Sequence, residues 1–191
     1  MADSAAGGSM IALLIDRNIK SGSNEACFIN AAQLKIRNNN LGDFRFRLHF
    51  FAVNKDTGEP GNDILEKNIV VNGNLKKGWI NFDLHKENIE ICEPFYVAFE
   101  SIFTDEERRG IAKKANELAE ALVSKTRVDT INVHGSKVVR TIIKGVPYGV
   151  MVGLSSSSSA YKKYVSYRKV SSESKWEKDS GILAAKVSIS E

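Results

Sequence analysis

The sequence predicts a mainly β fold, a jelly-roll-like antiparallel β-sandwich with one inserted amphipathic α-helix at about residues 105–124. Three observations predict it. Short apolar runs separated by turn residues fill the chain from residue 10 to 102, one helical repeat follows, and strand-like runs then resume. About ten short strands whose apolar runs are far apart in sequence are typical of a sandwich.

The first half of the chain contains the clearest strand signals. The apolar runs are separated by segments that contain Gly, Pro, Asn or Asp residues, which break strands. The runs are 10–15, 27–37, 44–50, 69–71, 78–84 and 95–102. The last of them is apolar on both faces, so we expect a central strand there.

The run 44–50 alternates strictly between apolar and basic residues. Phe44 and Phe46 share one face with Leu48 and Phe50, which predicts a half-buried strand. His49 lies on the polar face, and we interpret it as a solvated or capping histidine.

The run 78–84 also alternates, with Trp79, Asn81 and Asp83 on one face. Ile80 and Phe82 lie on the other. We interpret Trp79, which follows a Lys-Lys-Gly turn, as a core or rim residue of the sandwich rather than as a platform for a ligand.

A capping box marks the start of the helix. Thr104 and Glu107 have the spacing at which hydroxyl and carboxylate cap each other's backbone amides. Apolar residues then recur at helical spacing to about residue 124. Strand-like runs at 128–133 and 137–144, joined by a His-Gly-Ser turn, predict a hairpin next to the helix. Further strand-like runs lie at 148–154, 164–168 and 181–190.

Composition and length predict a single domain. The chain has 191 residues and a net charge of +4, a small excess that argues against a nucleic-acid partner. We expect residues 1–9 to be a tag or disordered tail, and residues 10–191 to form one sandwich with a helix and hairpin insertion at about 104–146. No stretch approaches the roughly 20 apolar residues that span a bilayer, so we expect no membrane span, and we see no signal peptide.

Standard catalytic and nucleotide-binding motifs do not occur in the sequence, which argues against an enzyme and predicts no catalytic residue. Cys27 and Cys92 lie outside any metal or redox motif. We expect buried or half-buried thiols, with one disulfide bridge as the alternative.

Two clusters are candidate sites. The loop residues Asp56, Glu59, Asn62 and Asp63 offer oxygen ligands for calcium, the one possible cofactor, although a turn that bonds to its own backbone explains the same residues.

The second cluster is aromatic and basic. Tyr161, Tyr164, Tyr167 and Trp176 are interleaved with cations such as Arg168, a pattern able to stack on a ligand ring. The alternative is that these residues are ordinary strand formers, with lysines protecting a sheet edge.

Several segments together resemble a jelly-roll domain of uncharacterised Bacteroidetes-type proteins, often found C-terminal to a carboxypeptidase regulatory-like module. They are 47–53, 57–65, 68–71, 77–84, 95–100 and 149–158, with Tyr167, Arg168 and Trp176. The resemblance implies an exported module, periplasmic or at the cell surface, without catalytic residues. The helix at 105–124 departs from the pattern as an insertion.

Three functions follow as hypotheses. The first is a non-catalytic module that binds glycan or protein at a cell surface. The second is a structural or adhesive assembly domain, which pairs through edge strands or the inserted helix. The third is a hydrolase that uses carboxylates such as Asp56, Asp63 or Asp83, for which two carboxylates must face one cleft. The oligomeric state is left open.

Overall fold

The computed structural model describes residues 8–16, 27–123, 127–133, 136–142, 148–155 and 163–190. Within them the chain is mainly β, with antiparallel sheets and one long helix, as the sequence predicts. The elements are β1 (Met10–Ile15), β2 (Cys27–Asn39), β3 (Phe44–Val53), β4 (Pro60–Asp63), β5 (Ile69–Gly73), β6 (Gly78–Asp83), β7 (Ile89–Ile91), β8 (Phe95–Ser101), α1 (Asp105–Val123), β9 (Arg127–Val133), β10 (Ser136–Ile142), β11 (Val150–Val152), β12 (Leu154–Ser155), β13 (Ser166–Lys169), β14 (Glu177–Lys178), β15 (Ile182–Leu183) and β16 (Ala185–Ser190).

The larger sheet has seven strands. Its order is β14-β13-β1-β8-β3-β4, and β5 pairs with β3 beside β4. Strand β8 lies between β1 and β3, and its residues from Phe95 to Glu100 are all buried. The expectation of a central strand here is confirmed, because only a strand covered on both faces accommodates such a run.

The smaller sheet has five strands arranged around β2. Strand β2 is 13 residues long and pairs with β6 and β7 along one edge. Its other edge pairs with β16 and β11. A register shift between Ser188 and Ile189 interrupts the β16 ladder, and such an irregularity lets a long strand bend over the core.

The main core lies between the two sheets. Strand β3 contributes the alternating Phe44, Phe46, Leu48 and Phe50, all buried as predicted. Phe82 of the smaller sheet and Phe99 of the larger one meet with ring centroids 5.4 Å apart. Contacts of this kind across the layers make the architecture a sandwich.

The helix α1 begins at the predicted capping box. The Glu107 amide donates to Thr104 Oγ1 over 3.1 Å, and the Thr104 amide donates to Glu107 Oε2 over 2.6 Å. Arg45 of the larger sheet also pairs with Glu107. The predicted hairpin is present as β9 and β10, which pair antiparallel; its turn residues 134 and 135 lie outside the described residues.

The N-terminal segment and the cysteines complete the fold. Of the predicted tail, residues 1–7 lie outside the described residues, whereas Gly8 and Ser9 form backbone hydrogen bonds with Ser101. Cys27 is buried, Cys92 is exposed, and no disulfide joins them. In the described part of the chain, no helix is both long enough and apolar enough to cross a membrane.

Candidate functional site

The outer face of the five-stranded sheet carries an exposed tryptophan. Because side chains alternate along β6, Ile80 and Phe82 enter the core while Trp79 and Asn81 face solvent. Trp79 is 39% exposed. Of the two positions expected for Trp79, the core is therefore wrong, and the alternation of the sequence itself places the residue on the polar face of its strand.

Two lysines from neighbouring strands lie against the indole of Trp79. Lys35 is opposite Trp79 in the β2–β6 register, and its Nζ is 5.7 Å from the ring centroid. Lys186 of β16 reaches the same ring, with its Nζ 4.5 Å from the centroid. Neither ammonium forms an ion pair with a carboxylate of the described residues. Both positive charges are therefore held by an aromatic face and solvent.

A pair of side-chain amides lies next to this aromatic group. Gln33 is opposite both Asn81 and Lys186 in the two ladders of β2. Gln33 Nε2 donates to Asn81 Oδ1 over 3.3 Å. The face thus combines a flat apolar ring with amide and ammonium groups at solvent. We call these five residues, Gln33, Lys35, Trp79, Asn81 and Lys186, the Trp79 face.

The far end of the same sheet surface is acidic. Asp83 Oδ1 accepts from His85 Nδ1 over 2.8 Å and from the His85 amide over 3.2 Å. These hydrogen bonds hold the pKa of Asp83 below its ordinary value. The surface is therefore cationic around Trp79 and anionic at the end of β6.

Two of the aromatic residues singled out from the sequence come together on the opposite side of the molecule. Tyr167 packs edge-on against Tyr96, and Trp176 packs edge-on against Phe51, with ring centroids 5.7 and 5.5 Å apart. They border a small apolar cluster on the outer face of the seven-stranded sheet and are half-buried there.

The other members of that group point elsewhere. Tyr164 is 41% exposed, with Lys163 Nζ 5.2 Å from its ring centroid. Arg168 is exposed and pairs with Glu177 over 3.5 Å. Because Arg168 is the neighbour of Tyr167 in β13, the two side chains project from opposite faces of the sheet. Tyr161 lies outside the described residues.

The acidic loop contains a turn that is bonded to its own backbone. Asn54 Oδ1 accepts from the amides of Asp56 and Thr57 over 2.9 and 3.2 Å. The Glu59 amide donates to Thr57 Oγ1 over 3.3 Å. These are the Asx-type and Ser/Thr-type bonds typical of such loops.

The carboxylate of Asp63 is directed to His49 rather than into the loop, with Oδ2 2.6 Å from Nδ1 of the ring. Asn62 precedes it in β4 and is exposed. Among the residues that the structure describes, no three His, Cys, Asp or Glu side chains are grouped so as to hold a metal ion.

A charged network that the sequence does not reveal surrounds His49 on the outer face of the seven-stranded sheet. His49 Nε2 is 3.2 Å from Glu100 Oε2, and Arg47 Nη1 donates to the same oxygen over 2.9 Å. The His49 side chain is only 13% exposed. The expectation of a solvated histidine is wrong, because Glu100 lies 51 residues away in sequence and only the β3–β8 register brings it beside His49.

The network favours the charged form of each member. Burial disfavours the imidazolium, but hydrogen bonds to Asp63 and Glu100 outweigh that effect and raise the pKa of His49 above 6.5. The hydrogen bond from His49, with Arg47 adding positive charge, holds the pKa of Glu100 below its ordinary value. The imidazole of His49 lies between the carboxylates of Asp63 and Glu100, and Asp83 lies on the outer face of the other sheet.

The raised pKa of His49 predicts a pH-dependent stability. The protonated ring binds both carboxylates and so stabilises the folded protein. This contribution to the free energy of unfolding is fully present below about pH 6.5, and it is lost as the pH rises through the raised pKa of His49 in the folded protein. In urea unfolding at about pH 6 and about pH 8.5, the wild type is expected to be less stable at the higher pH. His49→Gln should flatten this difference, whereas His85→Gln, at an exposed position, should preserve it. If His49→Gln showed the same difference in stability between the two pH values as the wild type, the assignment of this pH dependence to His49 would be wrong.

A cavity of about 880 Å³ lies between the first turns of α1 and the β3–β5 side of the larger sheet. Phe103 and Ile111 line it together with Arg45 and Lys114. Both cations are already occupied, Arg45 by Glu107 and Lys114 by Glu117. The Trp79 face, in contrast, presents cations that pair with no carboxylate of the described residues, and it is the stronger candidate site.

Comparisons of the chain with protein-family models, with curated proteins and with solved structures gave no match. The function is therefore argued from the chemistry of the site, since a sandwich fold by itself hosts many unrelated functions.

Proposed function

We propose that this protein is a non-catalytic binding module that recognises a glycan through the Trp79 face. The observation that carries the proposal is the exposed indole of Trp79 on the outer surface of the five-stranded sheet. The face of an aromatic ring is electron-rich and attracts the polarised C–H groups of a pyranose ring that stacks on it. Tryptophan is also among the side chains that are enriched at binding interfaces relative to the rest of a protein surface.

The neighbouring polar groups complement such a ligand. Asn81 and Gln33 lie two ladder positions from Trp79 and Lys35, on the same face of the sheet, and they are hydrogen-bonded to each other at the surface. Amides both donate and accept, so they suit the hydroxyl groups around a sugar ring. Lys35 and Lys186 add hydrogen-bond donors close to the indole.

A binding role fits this arrangement better than hydrolysis. Asp83, one of the carboxylates considered for hydrolysis, lies on this sheet surface, where it is exposed and hydrogen-bonded to His85. Glycoside hydrolysis needs a second carboxylate facing it within about 5–10 Å. Ala31, which is opposite Asp83 in β2, and Ser188, which is opposite Ala31 in β16, carry no carboxylate.

Screening the protein on a glycan array, followed by calorimetry with a positive glycan, tests the proposal. Trp79→Ala should weaken binding by about 30-fold, because truncating an interface tryptophan costs about 2 kcal/mol or more. Its thermal unfolding should match that of the wild type, since Trp79 faces solvent.

Tyr164→Ala is the matched control, because Tyr164 is equally exposed but lies outside the Trp79 face. It should bind like the wild type. An array without any bound glycan would remove the glycan proposal. Loss of binding in Tyr164→Ala but not in Trp79→Ala would move the site to the aromatic group near β13.

A further inference from the structure

The structure points beyond glycan binding in general to one class of ligand. Resting on the function proposed above, we infer that the Trp79 face binds an acidic polysaccharide, a polyuronate. One pyranose ring stacks on Trp79, and the carboxylate of that ring pairs with Lys35 and Lys186. The inference is drawn from the charges of this face and from their distances to the indole.

The described residues leave the positive charge of this face without a carboxylate partner. Lys35 and Lys186 form no ion pair with any carboxylate of the described residues. Lys76 and Lys77 are exposed in the turn immediately before β6 and add to the charge. Opposite charges on neighbouring strands stabilise a sheet when they pair. No carboxylate of the described residues pairs with Lys35 or Lys186, so an acidic ligand can supply the complementary charge.

The lysine contacts with Trp79 discriminate between neutral and acidic sugars. At an exposed position, an ammonium held by an aromatic face is only weakly bound and is easily displaced. A neutral sugar ring stacked on the indole would displace the ammonium groups that lie over the same ring face and would offer them only hydroxyl contacts. An acidic ring would occupy the indole and give the same ammonium groups a carboxylate, so a stronger, charge-assisted hydrogen bond would replace each cation–π interaction.

The distances favour a carboxylate attached directly to the sugar ring. The two Nζ atoms lie 4.5 and 5.7 Å from the centroid of the indole. An anion that meets both must therefore lie close to the stacked ring. In a uronate the carboxylate carbon is bonded to a ring carbon, which places its oxygens within that range.

Small residues leave room for a chain beside Lys35. The Gly153 amide donates to the Lys35 carbonyl, and the Lys35 amide donates to the Ala184 carbonyl. A Cβ on Gly153 would lie 3.1 Å from Lys35 Cβ and 3.2 Å from the Ala184 Cβ. A side chain at position 153 would therefore crowd Lys35. Glycine leaves the sheet surface uncovered there, on the side of Lys35 that faces away from Trp79.

The acidic end of the surface limits the direction of the ligand. Asp83 lies four residues along β6 from Trp79, about 13 Å away at the rise of a strand. Its pKa is lowered, so it stays ionised at neutral pH and repels a polyanion. The polysaccharide should therefore cross the sheet from β6 towards β16 at the level of Trp79 rather than run along β6.

Calorimetry with polygalacturonate and with its methyl-esterified form tests the inference, because the two polymers share a backbone and differ in charge. The wild type should bind polygalacturonate at least about 10-fold more tightly than the ester. Raising the NaCl concentration from about 50 to about 300 mM should weaken the binding of the acidic polymer but not that of the ester, since salt screens interactions between exposed charges.

The double substitution Lys35→Gln with Lys186→Gln should abolish the preference for the acidic polymer. Lys113→Gln with Lys178→Gln is the matched control, because it removes the same charge from exposed positions of α1 and β14 and should preserve the preference. Circular dichroism and thermal unfolding of both variants verify that they are folded.

The outcomes separate the two proposals. The acidic class of ligand is overturned if the ester and the acid bind equally well, or if the substitutions of Lys35 and Lys186 have no effect. In either case, glycan binding that is lost in Trp79→Ala still supports the glycan-binding module. Binding of an oligo(dT) single strand in place of either polymer, with loss in Trp79→Ala, overturns both in favour of a nucleic-acid ligand. Absence of binding to every glycan overturns both as well.

Discussion

Phe82→Ala is expected to lower the free energy of unfolding by about 3–5 kcal/mol, the usual cost of truncating a buried phenylalanine. Phe82 is 1% exposed and packs on Phe99 of the opposite sheet. Its partner across the β2–β6 ladder is Ala32, which is too small to fill the space that is left. The cavity therefore persists between the layers. Urea unfolding monitored by fluorescence measures the loss.

Phe28→Ala is the matched control for this prediction. Phe28 belongs to β2 of the same sheet but is 38% exposed. Its truncation removes a similar number of atoms from the surface and should cost less than about 1 kcal/mol. Comparable losses in the two variants would mean that the two sheets do not pack through Phe82.

Glu100→Gln is expected to destabilise the protein by about 2 kcal/mol near neutral pH, because a neutral amide replaces the anion that binds two cations. Glu100 Oε2 accepts from Arg47 and His49, and the Arg47 Nε is buried without a hydrogen-bond partner within the described structure. The guanidinium therefore depends strongly on Glu100. Urea unfolding near pH 6, where His49 is protonated, measures the difference.

Glu93→Gln provides the comparison for the ion pair of Glu100. Glu93 pairs with Lys55 over 3.2 Å, but both side chains are at least 70% exposed. Such pairs contribute about 0–1 kcal/mol. The loss in Glu100→Gln should also shrink as the pH falls through the lowered pKa of Glu100, because the wild-type carboxyl is then protonated as well. A loss that persists at low pH would show that shape rather than charge matters at this position.

Local features of the fold follow from the sequence because each depends on residues a few positions apart. The alternation from Phe44 to Phe50 predicts which side chains of β3 enter the core, and all four apolar ones are buried. Thr104 and Glu107 predict the start of α1, and their reciprocal hydrogen bonds form. Each pattern is a periodicity or a cap with a single structural solution.

The candidate site is less predictable, because its members are brought together by strand pairing. The alternation of β6 places Trp79 on the polar face, yet the sequence does not indicate that Lys186, more than 100 positions away, lies against its ring. The same applies to His49 and Glu100, which are joined by the β3–β8 register. Register and strand order arise from packing of the whole sandwich.

By itself the sequence determined the mainly β class, the position of the helix and the inward face of the main strands. These features depend on the periodicity of apolar residues and on helix capping, which involve residues only a few positions apart. The tertiary structure alone decided that Lys35 and Lys186 converge on Trp79, that Tyr167 and Trp176 pack on a second apolar cluster, and that His49 is enclosed by two carboxylates. These groupings join side chains from strands that are distant in the chain, and a contact of that kind exists only once the sheets are assembled.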